Sequence, residues 1–96
     1  MIRYKYLNFT GHAVRQMFSR QISETDVWNV LNTGEMIIDY PDDKPLPSKL
    51  ILGFSEGRPI HVVFAYDATN ETGYIVTAYI PDKNLWSNDF KTRSKT

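Results

Sequence analysis

The chain has 96 residues, 42% of them hydrophobic, with 11 basic and 11 acidic residues and no cysteine. That length allows one domain with one core, and the apolar share is too high for a disordered chain. Charge neutrality argues against a broad nucleic-acid footprint, though not against a small basic site, and the missing cysteines exclude disulfides and thiolate metal sites.

No apolar run is long enough to cross a membrane and no leader pattern opens the chain, so a soluble, cytoplasmic protein without membrane contact is expected. Two histidines leave too few ligands for a zinc site unless carboxylates complete it, so neither metal nor cofactor is expected. In chain order, residues 2–9 (IRYKYLNF) alternate loosely and predict a short edge strand. Residues 10–22 predict a helix capped by Thr10, with Val14, Met17, Phe18 and Ile22 as its buried line. Its other face carries His12, Arg15, Gln16, Ser19 and Arg20.

Residues 23–34 predict a second helix. Ser23 and Asp26 form a variant capping box, Val27, Val30 and Leu31 form the buried stripe, and Gly34 ends it in the left-handed conformation. Four strands follow, at 35–41, 48–55, 59–67 and 73–80. The loop 42–47 is broken by two prolines and two aspartates, and the Glu56–Gly57–Arg58 turn centres on Gly57. Residues 82–90 predict a closing helical turn with Leu85, Trp86 and Phe90 packing back, and 91–96 a frayed basic tail. The order is that of a single α+β domain: a short N-terminal strand, two helices, then an antiparallel sheet of about four strands with helices on one face.

The third of these sheet strands, within Arg58–Asp67, holds a histidine among apolar residues. Alternation sends Ile60, Val62, Phe64 and Tyr66 to the core and His61, Val63 and Ala65 to the open face. Symmetrical turns place Gly53 and Tyr79 on either side of His61, with Lys49 and Thr77 near by, as a floor for a small anionic or polar ligand. The same alternation sends Leu50, Leu52, Tyr74 and Val76 to the core and Ile75 to the open face. A His–Tyr pair also stabilises a sheet with no function attached. His12, near a helix start and three residues before Arg15, suits phosphate binding, or is simply a solvated surface pair. Arg20, Arg58 and Arg93 are further cationic candidates.

Read together, these segments resemble the family labelled domain of unknown function 4258. The resemblance rests on H-x-x-R at His12 and Arg15, R-x-I-S-x-x-D-V at Arg20–Val27, G-E at Gly34–Glu35, Y-P-D-D at Tyr40–Asp43, H-V-V at His61–Val63, T-A-Y-x-P at Thr77–Pro81, and Trp86. Ile60 replaces the usual leucine before His61. The resemblance implies distant kinship with RelE-type toxins, small α+β proteins that cut messenger RNA, and a small antitoxin partner of zinc-finger or helix-turn-helix type. The expected function is thus a metal-independent endoribonuclease, acting on RNA free or on the ribosome. The expected catalytic residues are His61, His12, Arg15 and Tyr79, and the expected substrate-binding residues are Lys49, Arg58, Thr77 and Arg20. The alternative is a non-catalytic interaction or ligand-binding domain of the same fold.

Overall fold

A computed structural model describes residues 3–94. It contains β1 (Tyr6–Phe9), α1 (Gly11–Arg20), α2 (Glu24–Thr33), β2 (Glu35–Tyr40), β3 (Ser48–Ser55), β4 (Arg58–Asp67) and β5 (Thr72–Tyr79). The strands form one five-stranded sheet in the order β1-β5-β4-β3-β2. Strands β2 to β5 are antiparallel neighbours, as the sequence predicts. The short N-terminal strand adds to the same sheet in parallel with β5, which makes the sheet mixed. Among the described residues, no helix is long and apolar enough to cross a membrane.

Both helices lie on one face. Thr10 caps α1, its hydroxyl accepting from the Ala13 N–H at 3.1 Å. The core line of α1 is Ala13 and Met17, continued by Ile22; Val14 and Phe18, expected inside, are exposed. Helix α2 starts with the expected capping box: Asp26 N–H donates to Ser23 Oγ and Ser23 N–H to Asp26 Oδ2. It buries Val27, Val30 and Leu31 against Ile51, Ile60 and Val62 of the sheet. Gly34 is extended at φ −78°, not left-handed. A side chain there would strike the Val30 and Leu52 carbonyls, so glycine is needed for close approach.

The hairpin between β3 and β4 turns on two residues, Glu56 (φ 52°) and Gly57 (φ 79°), with Ser55 opposite Arg58. The primed turn matches the strand twist. The sequence reading used a three-residue turn, and the difference of one inverts β3. Leu52, not Gly53, lies opposite His61. Lys49, Ile51 and Gly53 share the helix-covered face, while Leu50 and Leu52 lie with His61. On β5 a bulge at Val76 returns Ile75 to the core and sends Tyr74 to the other face.

Residues 82–94 are not a helix. The Asp82 carbonyl accepts from Leu85 and Trp86 N–H, both at 3.0 Å, and Trp86 pairs with Arg93 as an isolated bridge. Ser87 N–H donates to Thr92 O and Ser94 N–H to Leu85 O, so residues 91–94 are tied down rather than frayed. Leu85 stays exposed, while Trp86 is buried and Phe90 half-buried. This strap crosses the sheet face away from the helices, and Lys91 reaches Glu35 at 3.0 Å.

A polar clamp joins the helices to the hairpin. Arg58 donates to Asp26 Oδ2 (3.0 Å) and to the Gln21 carbonyl (3.0 Å), and Ser55 Oγ–H donates to Asp26 Oδ1 (2.6 Å). Burial pushes the Asp26 carboxyl up, but the Ser23 N–H, the Ser55 hydroxyl and Arg58 together hold it below its usual 3.8. Asp26→Ala is expected to cost about 2–4 kcal/mol, since it takes the carboxylate from Arg58, leaves the Ser55 hydroxyl without its acceptor and removes the Ser23 N–H half of the capping box. Because the folded state favours the carboxylate, that stabilisation is complete above 3.8 and is lost as pH falls through the folded pKa. Urea unfolding of parent and variant at neutral and acid pH checks both: the gap is expected to shrink in acid.

Candidate functional site

His61 sits in β4, the central strand, opposite Tyr79 of β5 as the alternation predicts. It is not on an open floor. The strap covers it, and its exposure is 0%. Nδ1 lies 3.2 Å from Tyr79 Oη and Nε2 lies 2.8 Å from the Phe90 carbonyl. A carbonyl only accepts, so Nε2 carries the proton, and Nδ1 accepts from the Tyr79 hydroxyl. Trp86 stands edge-on at 4.4 Å between ring centroids, and Arg93 lies over the Trp86 ring at 5.5 Å. Burial lowers the His61 pKa below 6.5, against the opposing effect of the hydrogen bond it donates to the Phe90 carbonyl, so the ring is neutral at pH 7. Burial also raises the Tyr79 phenol above 10.

Directly beside this pair is a cleft of about 520 Å³. Strand β1 covers β5 only from Thr72 to Ile75, so Thr77–Tyr79 has no strand on its outer side. Helix α1 forms one wall of the cleft with His12, Gln16 and Arg20, which follow at four-residue spacing on one line. The strap forms the other wall with Asp82, Trp86 and Arg93, and Thr77 and Tyr79 lie between. Two arginines and a histidine against one aspartate make the cleft locally basic in a chain with no net charge.

The cleft therefore gathers His12, Arg20, Thr77 and Tyr79 of the residues picked out from sequence. His61 touches it only through Tyr79 and Trp86. Arg15 is exposed and lies outside it, with its guanidinium near Gly11. Lys49 lies on the helix-covered side, 3.8 Å from Asp39 of β2, and Arg58 is held in the clamp. Arg93 is the cation that sequence reasoning ranked low, because it falls in a segment whose composition reads as a loose tail; the Trp86 ahead of it is the signal for docking. Among the described residues, no group of three His, Asp or Glu is placed to hold a metal ion.

Comparison with known proteins gives one match. The chain matches the family described as domain of unknown function 4258 over residues 9–80. It belongs to that family. No curated protein and no solved structure matches it. The family region includes His12, Arg20, His61, Thr77 and Tyr79 and stops short of the strap, so the outer wall of the cleft lies beyond it.

Nitrogen-15 NMR of the imidazoles is expected to show His61 as the Nε2–H tautomer at pH 7, titrating below 6.5. The folded pKa is depressed, so full stability holds above about 6.5 and falls as pH drops below it through the folded pKa. His61→Phe should lose that part of the pH dependence in an unfolding series from pH 8 to about pH 5.

Proposed function

We propose that this protein is a small RNA-cutting toxin of the RelE-like kind, working from the cleft at the free edge of β5. The observation that carries the reading is the meeting there of His12, Arg20, Thr77, Tyr79 and Arg93 from three separate parts of the chain. Cleavage through a ribose 2′-hydroxyl needs a group to take its proton, a group to protonate the leaving oxygen, and cations beside the phosphate. His12 is exposed in the cleft and serves as the proton-transfer residue. Arg20 and Arg93, one on each wall, balance the charge that builds on phosphate. Thr77 and the Tyr79 hydroxyl orient the sugar. His61 acts through Tyr79 and the strap as a positioning residue, since both its ring nitrogens are engaged within the protein. In this reading His12 takes the 2′-hydroxyl proton as that oxygen bonds to phosphorus and returns it to the 5′ oxygen as the P–O bond to it breaks, with no metal in the step.

The kinship with RelE-type toxins that the family resemblance implies would make messenger RNA the substrate, free or on the ribosome, in the cytoplasm. It also supports a small antitoxin partner of zinc-finger or helix-turn-helix type. A second reading, a non-catalytic interaction domain of the same fold, is favoured by Phe18, which is 88% exposed, and Val14, 53% exposed one turn before it on α1.

Induction of the chain alone is expected to arrest growth and cleave RNA. His12→Ala and Arg20→Ala should each slow cleavage of purified RNA by about 10² or more, while Lys49→Ala leaves it unchanged. Intact RNA and normal growth with soluble, folded protein would select the interaction domain instead.

A further inference from the structure

A second cavity lies on the strap side of the sheet, and nothing in the cleft's chemistry uses it. Its volume is about 500 Å³, and its lining includes Leu46, Ala65, Tyr74 and Val76. Ser48, Ala65 and Tyr74 stand in one row across β3, β4 and β5. The first two are small and buried, so the row leaves a depression beside the aromatic ring. The loop residues Pro45 and Leu46 complete the lining, so the slot offers both aromatic and aliphatic surface. Polar groups gather at its rim. Asp43 accepts the Ser48 hydroxyl on Oδ2 at 2.7 Å, which leaves its other oxygen to accept. Among the described residues, Lys44 pairs with no carboxylate.

We propose that this slot is a nucleobase site. A planar heteroaromatic ring gains stacking from Tyr74 and Leu46, and its polar edge meets an acceptor on Asp43 and a donor on Lys44. Aliphatic side chains would also fill the walls, but would make no hydrogen bond to Asp43 or Lys44. The slot and the basic cleft are lined by neighbouring residues of the same two stretches of chain. Thr10 lines the slot and His12, two residues on, lines the cleft, while along β5 Val76 belongs to the slot and Thr77 to the cleft. Tyr74 and Thr77 are roughly 10 Å apart along the strand, within the span of one or two nucleotides. The proposal rests on the cleft being an RNA site and adds to it: a strand passes from the free edge of β5 at Thr77–Tyr79 onto the strap-side face, its phosphate between Arg20 and Arg93 and a neighbouring base in the slot.

The test uses backbone-amide NMR of the full chain with probes that separate the two sites. Cytidine and guanosine, which carry a base and no phosphate, are expected to shift Leu46, Ala65, Tyr74 and Val76. Ribose 5-phosphate, which carries no base, is expected to shift His12, Arg20 and Arg93 instead. A single-stranded RNA oligonucleotide should shift both sets and bind at least tenfold more tightly than its abasic counterpart. Ala65→Phe, which fills the slot, should abolish that preference; should that variant not fold, Tyr74→Leu keeps the bulk and removes the flat face. Nucleosides at millimolar concentration that leave the slot unmoved would overturn the proposal, and so would shifts from N-acetyl-leucinamide alone, which would give the slot to a protein partner. Slot shifts with uncleaved RNA would keep the base site and remove the nuclease, whereas cleaved RNA with no slot shifts would do the reverse.

Discussion

One buried imidazole holds the outer wall of the cleft in place. The strap's own hydrogen bonds shape it but do not hold it to the sheet, and its contact with β2 is an exposed Lys91–Glu35 ion pair, a kind of contact worth less than about 1 kcal/mol. What fixes it on the sheet is His61, which donates to the Phe90 carbonyl and lies against the Trp86 ring. A buried donor left without an acceptor costs about 1–3 kcal/mol, so lifting the strap is opposed by more than lost packing. The same imidazole orients the Tyr79 hydroxyl from below. Histidine suits this position because it offers one donor and one acceptor on a flat ring that also packs edge-on against an aromatic.

The inner wall depends on a different contact. Arg58 donates to the carbonyls of Arg20 and Gln21 at the end of α1 as well as to Asp26. A cation on the last carbonyls of a helix satisfies groups that have no intrahelical partner and opposes the negative end of the dipole. That bond fixes the backbone of Arg20, the lowest of the three α1 residues in the cleft. Arg58, expected from sequence to touch substrate, thus reaches the site through Arg20.

Much of this was legible in the residues, and the failures have physical reasons. Caps and turn chemistry placed every strand and both helices, because Thr10, the Ser23–Asp26 box and the Gly57 turn act locally. Side-chain direction was harder, because it depends on counts. Glu56 takes the left-handed conformation that a turn centred on glycine does not require of it, and that single residue moved Lys49 and Gly53 away from His61. On α1, Ala13–Met17 and Val14–Phe18 are neighbouring lines with the same spacing, and apolarity alone put Val14 and Phe18 inside with Met17 and passed over the small Ala13. The strap was illegible as an element because its aromatics follow no period, although Trp86 and Phe90 were read as packing back. At the site, His12, Tyr79 and Thr77 followed from pattern, while Arg93 required knowing where the strap goes.

The bulge at Val76 decides what β5 can do. Without it, strict alternation would keep Ile75 on the face of Thr77 and Tyr79 and turn Tyr74 into the core. The extra residue restores Ile75 to the core, where its exposure is 0%, and leaves Tyr74, Thr77 and Tyr79 all on the His61 side. It also falls where β1 ends, so the strand changes from paired to free within a residue of the point where its faces exchange. Bulges bend a strand and re-aim its side chains, and are common beside functional sites. Here one inserted residue puts an aromatic ring beside a slot and two hydroxyls beside a basic cleft on the same strand. Side chains that an unbroken strand would have divided between its faces lie on the same one.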